Sequence, residues 1–215
     1  MDLPELEGDE DIRFLEPVEV QALAAAAVVG PYAPIDRAFY LTAAMTGLRH
    51  GELIALRWRD VDWTAMRVRV RQNYVLGEYG TPKSRRSTRS VPMAPEVGGE
   101  LERLYQRSRW QGDDDLVFAD PHTGGPLSKA ANNRRFRRAL RGARLDESHR
   151  IHNLRHTFGT RMAAVGTPMR TLQEWMGHRD IATTQRYADY SPSSREAELV
   201  AAAFGAALAC EGVAN

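Results

Sequence analysis

The stretch Ala65–Gln72, AMRVRVRQ, breaks the pattern of its surroundings. Met66, Val68 and Val70 alternate with Arg67, Arg69 and Arg71, the two-residue period of a strand with one buried face and one wetted face. Most of the remaining chain carries helical spacing. A small sheet is therefore inserted early into a mainly helical protein, which makes the fold class mainly α, or α+β with a small antiparallel sheet in the N-terminal third. Asn73–Leu76 and Arg89–Met93 are further strand candidates. The turn-rich basic segment GEYGTPKSRRST lies between them, with Lys83 at the tip of the hairpin they would form.

Helices are expected over Glu16–Val29, where Pro17 suits a first turn, and over Ile35–Met45, stopping at Thr46-Gly47. A short one runs from Arg49 to about Leu56, and another covers Glu96–Arg109. After the apolar run LVFA and the turn DPHTGGP come a basic helix over Ser128–Leu145, then Ile151–Val165, Met169–Met176 and Ile181–Tyr190. An Ala-rich segment over Ser194–Cys210 ends the pattern. The expected organisation is a flexible acidic lead-in over 1–13, a single domain over 14–193, and a C-terminal helix or tail over 194–215.

Composition narrows the class. Hydrophobic residues make up 43% of the 215, without low complexity, so a globular core is affordable. No apolar run approaches the roughly 20 residues that span a bilayer, and the acidic N-terminus lacks a signal-peptide pattern, so a cytoplasmic location without membrane contact is expected. Cys210 is the only cysteine, which excludes an intramolecular disulfide and a cysteine-based zinc site. The net charge of +1 conceals an asymmetry, because residues 1–20 hold eight acids against Arg13 alone. The body is therefore basic. Its densest run, SKAANNRRFRRALRGARL, carries Lys129, Arg134, Arg135, Arg137, Arg138, Arg141 and Arg144 with no acid. Residues 134, 137, 138, 141 and 144 share a helix face at spacings where like charges repel. A solvated face would explain the run, but contact with a polyanion such as a phosphate backbone explains it better.

Four separated pieces carry residues suited to a phosphodiester. In TGLRHGEL, Thr46–Leu53, Gly47 ends one helix and Arg49 opens the next, with Glu52 three residues on to hold the guanidinium; a salt-bridged surface turn is the bland alternative. Lys83 in TPKSRR can swing and deliver a proton, or be an ordinary loop lysine. In IHNLRHTFGTRM, His152, Arg155 and His156 share a helix face. The His152/His156 spacing raises a zinc hydrolase helix, but position 153 is Asn where such a helix needs Glu. In WMGHRDIATTQRYADY, Gly177 suits a helix C-cap, Asp180 a cap for the next helix, and Tyr187 can fold back toward His178. Tyr190 falls on a different part of that helix.

Taken together, TGLRHGEL, Lys83, HNLRH, MGH and TTQRYA, in this order and with nine residues from His178 to Tyr187, resemble the tyrosine recombinase (phage integrase) family across Thr46–Tyr190. The resemblance implies the family's catalytic domain and its metal- and ATP-independent chemistry. Arg49 and Arg155 would grip the non-bridging oxygens of the scissile phosphate, and Tyr187 would attack phosphorus to give a 3′-phosphotyrosyl link. With a phenol pKa near 10, only about one tyrosine in a thousand is ionised at neutral pH, and His152 is the family's candidate base. Lys83 would protonate the departing 5′ oxygen and His178 would donate to the phosphate. Glu52 and His156 would support these groups from behind. Lys129, Arg134, Arg135, Arg137, Arg138, Arg141, Arg85 and Arg86 would contact double-stranded DNA.

No cofactor is expected, and the chain contains no G-x-x-x-x-G-K-[ST] nucleotide loop. Family members usually carry a helical clamp domain ahead of the catalytic one, for which the residues before Glu16 leave no room. Weak DNA binding, a monomer without DNA and a tetramer on paired sites are therefore expected. The stripe Leu199, Val200, Phe204 and Leu208 would dock in cis or on a neighbour.

Overall fold

The computed structural model describes residues 12–28, 30–80 and 89–188. The eight helices among them are α1 (Pro17–Ala25), α2 (Ala33–Thr46), α3 (His50–Ile54), α4 (Pro95–Arg107), α5 (Lys129–Ala143), α6 (Ile151–Ala164), α7 (Met169–Met176) and α8 (Ala182–Gln185). The five strands are β1 (Val61–Asp62), β2 (Arg67–Val70), β3 (Asn73–Val75), β4 (Glu78–Gly80) and β5 (Arg89–Pro92). The mainly α class with a small antiparallel sheet is what the alternation at Ala65–Gln72 required.

The pairing differs from the expected hairpin. β5 does not pair with Asn73–Val75; it pairs antiparallel with β2, placing Val68 opposite Val91, while β1 covers the other edge of β2. The β3 strand instead turns back on itself through Leu76 and Gly77, both at positive φ, and pairs with β4. Such a two-residue turn matches the twist of a hairpin. The buried side chains Val68, Val70 and Val91 explain why β2 chooses β5, since their apolar faces meet the core together.

That core centres on α2, whose Ala38, Phe39, Tyr40, Leu41 and Ala43 are all essentially inaccessible to water. Phe39 meets Phe118 edge-on at 5.1 Å and Tyr40 meets Phe136 at 5.3 Å, joining α2 to the LVFA segment and to α5. Burying one such ring contributes on the order of 2–3 kcal/mol, so α2 is the rigid post of the molecule. α6 packs along it. α2 stops at Gly47 (φ 65°) and α7 at Gly177 (φ 64°), both left-handed C-caps. The two helix ends face the same spot, as one side chain from α6 shows below. Lys83, Arg85, Arg86, Tyr190 and the segment 194–215 lie outside the described residues, as does most of the acidic lead-in. Among the described residues no helix is long and apolar enough to cross a membrane.

Candidate active site at the end of α7

The last carbonyls of a helix have no partner within it and carry the negative end of its dipole. At the end of α7, three consecutive carbonyls each accept a hydrogen bond from a different arginine. Arg89 Nε donates to Trp175 O at 2.6 Å, Arg155 Nη2 to Met176 O at 2.6 Å and Arg49 Nη2 to Gly177 O at 2.8 Å. Arg155 also donates through Nη1 to Gly47 O at 2.5 Å, so it spans the C-termini of α2 and α7 from its place on α6. It is only 2% exposed, and burial pushes it down to about 9, which leaves it charged at neutral pH.

Glu52 supplies the counter-charge. Its Oε2 accepts the Arg49 backbone N–H at 2.7 Å, capping α3, and its Oε1 accepts Arg49 Nη1 at 3.0 Å. Arg89 bonds both carboxylate oxygens, at 2.8 and 2.7 Å. Burial alone would raise this carboxyl, but the Arg89 bonds and charge, with Arg49, hold it at about 2. Glu52 thus sits behind Arg49 as expected. Arg89 is the residue that sequence reasoning missed, having been read only as the first position of a strand.

Tyr187 completes the site. It lies on a turn just past α8, not two turns into a longer helix, because α8 ends at Gln185 and Tyr187 N–H bonds Thr184 O. Asp180 accepts the Ala182 N–H at the start of α8. The Tyr187 ring rests on Gly159 of α6, where an added Cβ would lie 2.6 Å from the nearest ring atom. It stacks against His178 at 6.2 Å between centroids. Its hydroxyl is 3.0 Å from His156 Nδ1. The base expected from the resemblance, His152, instead meets His156 edge-on at 4.7 Å. One helical turn separates the two histidines: His152 is exposed, whereas His156 faces the ring. His178 Nδ1 is 2.9 Å from Thr184 Oγ1, which leaves its Nε2 unused by that bond. Gly159 and Thr184 were not singled out from the sequence. Small and hydroxyl residues beside a reactive side chain carry no signal until the fold supplies the neighbour.

Protonation states follow from these surroundings. Desolvation, with the Arg155 charge among its neighbours, lowers His156 to about 4 and His178 to about 3. His152 is lowered as well, first by desolvation and then by Arg155 and Arg49, although it remains the most open of the three. Burial raises Tyr187 while Arg155, Arg186 and Arg49 oppose the rise. At neutral pH the phenol is therefore protonated and faces a neutral imidazole able to accept. The ensemble is a set of fixed cations beside a phenol hydroxyl and a proton acceptor, groups whose chemistry suits attack on an anionic phosphoryl centre. Among the described residues, no group of three or more His, Cys, Asp or Glu is placed to hold a metal ion.

The basic helix only partly meets expectation. Lys129, Arg134, Arg137 and Arg138 are exposed. Arg135 is not on that row: its Nε pairs with the buried Asp36 at 2.7 Å and its guanidinium covers the Tyr32 ring at 4.2 Å. It flanks Phe136 on the inner face of α5, where a buried carboxylate requires a cation. Arg141 pairs with Glu147 at 3.0 Å.

The description of the phage integrase family matches residues 13–193. The tyrosine recombinase XerC of Xanthomonas campestris pv. campestris is 34% identical over 183 residues, 85% of this chain and 50% of that protein. The XerC of Rhodospirillum centenum is 33% identical over 72% of this chain and 42% of its own. The chain thus spans about half the length of such curated relatives, or less. In structure, it is similar to the Tn1549 transposon integrase in complex with transposon right end DNA, with a TM-score of 0.74 at 21% identity over 92% of this chain and 68% of that one. It is also similar to XerA recombinase, with a TM-score of 0.67 at 26% identity over 82% and 60%. The chain belongs to the phage integrase family.

Proposed function

We propose that this chain is the catalytic domain of a tyrosine-type site-specific DNA recombinase. The observation that carries the reading is the Tyr187 hydroxyl, held on His156 and packed against His178 beside Arg49 and Arg155. Arg155 and Arg49 bind the non-bridging oxygens of a phosphodiester and stabilise the charge that grows there. Tyr187 Oη attacks phosphorus, its proton passing to His156 Nδ1, and the bond from phosphorus to the 5′ oxygen breaks. Lys83 returns a proton to that leaving oxygen. The product is a 3′-phosphotyrosyl ester and a free 5′-hydroxyl; attack by the 5′-hydroxyl of another strand reverses the step and rejoins DNA. With Thr184 donating to its Nδ1, His178 presents Nε2–H to the phosphate. His152, outermost of the three histidines, orients His156 and can take the proton onward.

The exposed row of Lys129, Arg134, Arg137 and Arg138, extended by Arg85 and Arg86, meets the phosphate backbone of double-stranded DNA. Arg141 joins this row when DNA displaces Glu147. The chain acts in the cytoplasm at the nucleoid, as a monomer until paired sites assemble a tetramer, with residues 194–215 docking in cis or on a neighbour. The test is a pool of nicked suicide substrates carrying candidate attachment sequences, with EDTA present. A covalent protein–DNA band is expected for the unsubstituted chain and for Tyr190→Phe, and none for Tyr187→Phe. A band that persists in Tyr187→Phe would overturn the assignment of the nucleophile.

A further inference from the structure

The Arg89–Glu52 pair plays no part in the chemistry above, yet its side chains are 7% and 8% exposed while that of Arg49 is 43% exposed. A charged pair so deeply buried is by itself weak evidence of net stabilisation, and this one lies directly behind the open arginine. We propose that Arg89 is a positioning residue whose guanidinium is the dedicated counter-ion of Glu52, leaving the positive charge of Arg49 available to a bound phosphoryl group. The proposal rests on the phosphoryl-transfer reading of the site.

The geometry separates the two arginines by function. Glu52 is bonded by both, but Arg89 meets it fork to fork, at 2.8 and 2.7 Å, and also donates its Nε–H to Trp175 O. Its guanidinium lies beneath Gly177, where an added Cβ would come within 2.9 Å of Nη1. Its side chain is 7% exposed, and each of its three guanidinium nitrogens is already bonded to Glu52 or to the end of α7. Arg49 gives Glu52 only one guanidinium nitrogen and gives Gly177 O another, and it alone of the two is open to solvent. Glu52 is needed at this position to cap α3 through the Arg49 N–H. That same carboxylate, without Arg89, would turn Arg49 into its own ion-pair partner.

Charge counting makes the same point. Three guanidiniums, Arg49, Arg89 and Arg155, against the one carboxylate of Glu52 leave a net of two positive charges at the end of α7. A phosphodiester carries one negative charge, and the five-coordinate species formed when Tyr187 adds to it carries two. Removing Arg89 lowers the site to one positive charge, and removing the Glu52 charge as well restores two. A mere brace would behave differently, because deleting both halves of a brace does not repair it.

The test titrates the full chain with inorganic phosphate. It follows the side-chain Nε–H resonances of Arg49 and Arg155, with circular dichroism to certify the fold. Arg89→Met is expected to weaken phosphate binding on the order of tenfold, the effect of withdrawing one unit charge several ångströms away at intermediate dielectric. Arg89→Met with Glu52→Gln is expected to recover most of that loss. Glu52→Gln alone should bind phosphate at least as tightly as the parent, even though it is less stable to urea with Arg89 left unpaired.

A double variant no better than Arg89→Met would overturn the proposal in favour of simple bracing. Should Arg89→Met not fold, Glu52→Gln decides by itself, since lost phosphate affinity there sinks the idea and retained affinity supports it. A parent chain in which phosphate moves neither Arg49 nor Arg155 would remove the phosphate site and this proposal with it. That outcome differs from a parent that binds and a double variant that does not recover.

Discussion

Two regions of this molecule are built from arginine, and they use it in opposite ways. At the end of α7, Arg49, Arg89 and Arg155 are tied to three successive carbonyls and one carboxylate. On the outer face of α5, Lys129, Arg134, Arg137 and Arg138 are exposed, and among the described residues no ion pair joins them. A cation fixed before the substrate arrives stabilises developing charge without reorganising. A cation on a free stem attracts a polyanion, and its effect is screened by salt. The difference teaches that charge density alone does not distinguish catalysis from attraction; what the guanidinium is already bonded to does.

The sharpest way to break this comparison is to remove a fixed cation. Arg155→Met should reduce covalent complex formation by about a thousandfold, the scale of losing a preorganised oxyanion donor. It should also cost about 1–3 kcal/mol of stability, because the carbonyls of Gly47 and Met176 lose their buried donor. Single-turnover cleavage at saturating DNA, alongside urea unfolding, measures both. Cleavage falling less than tenfold would erase the distinction between the two regions.

Acid separates them next. Glu52 sits at about 2 against an ordinary 4.5. Its contribution is therefore present above pH 4.5 and lost as pH falls toward 2, roughly 3 kcal/mol at 1.36 kcal/mol per unit. His156 and His178, lowered from 6.5 to about 4 and about 3, act in the same direction. The contribution of these three groups is complete above pH 6.5 and declines below it as the unfolded chain takes up protons. Urea midpoints against pH should show this decline in the parent. Glu52→Gln should lose the lowest limb of it, whereas an α5 variant such as Arg137→Ala should keep the whole curve.

How much of this contrast the sequence reveals depends on the range of each interaction. The buried alternation of Val68 and Val70, the exact span of α7 and the Ser128 cap of α5, whose Oγ accepts the Ala131 N–H, are local and readable from neighbours in the chain. Arg49, Arg155, His178 and Tyr187 were marked by motif, and the fold gathers them. Arg89 was not, because its partner Glu52 lies 37 residues away and its strand position looks like any edge arginine. Arg135 was misplaced for the same reason, its Asp36 being 99 residues upstream. Which of His152 and His156 meets the Tyr187 hydroxyl turns on where the Tyr187 turn lands on α6, which depends on the Gly159 contact and on the shortness of α8.

That contact supplies a milder perturbation. Gly159→Ala puts a methyl 2.6 to 2.7 Å from three atoms of the Tyr187 ring, and such overpacking costs about 1–3 kcal/mol. The ring has to move, so the hydrogen bond to His156 should lengthen and cleavage should fall by about ten- to a hundredfold for a loss of 1.4–2.7 kcal/mol of alignment. DNA affinity should hold, since no basic residue is touched. Equal loss of binding and cleavage would mean that the α6 surface, and not the nucleophile alone, had been disturbed.

The smallest effect belongs to α5. Arg137→Ala should leave cleavage at saturating DNA unchanged and weaken binding severalfold at moderate salt, reducing the slope of log affinity against log salt by about 0.9 for each phosphate contact removed. Arg134→Ala and Arg138→Ala should do the same, and the three together should add, because exposed residues without shared partners act independently. Arg135→Ala is the control within the same helix. It should destabilise the fold by leaving Asp36 buried without its cation, and should leave the salt slope where it was. If Arg135→Ala changes the slope as Arg137→Ala does, the inward and outward arginines of α5 are not distinct, and the row reaches DNA by a geometry other than its exposed face.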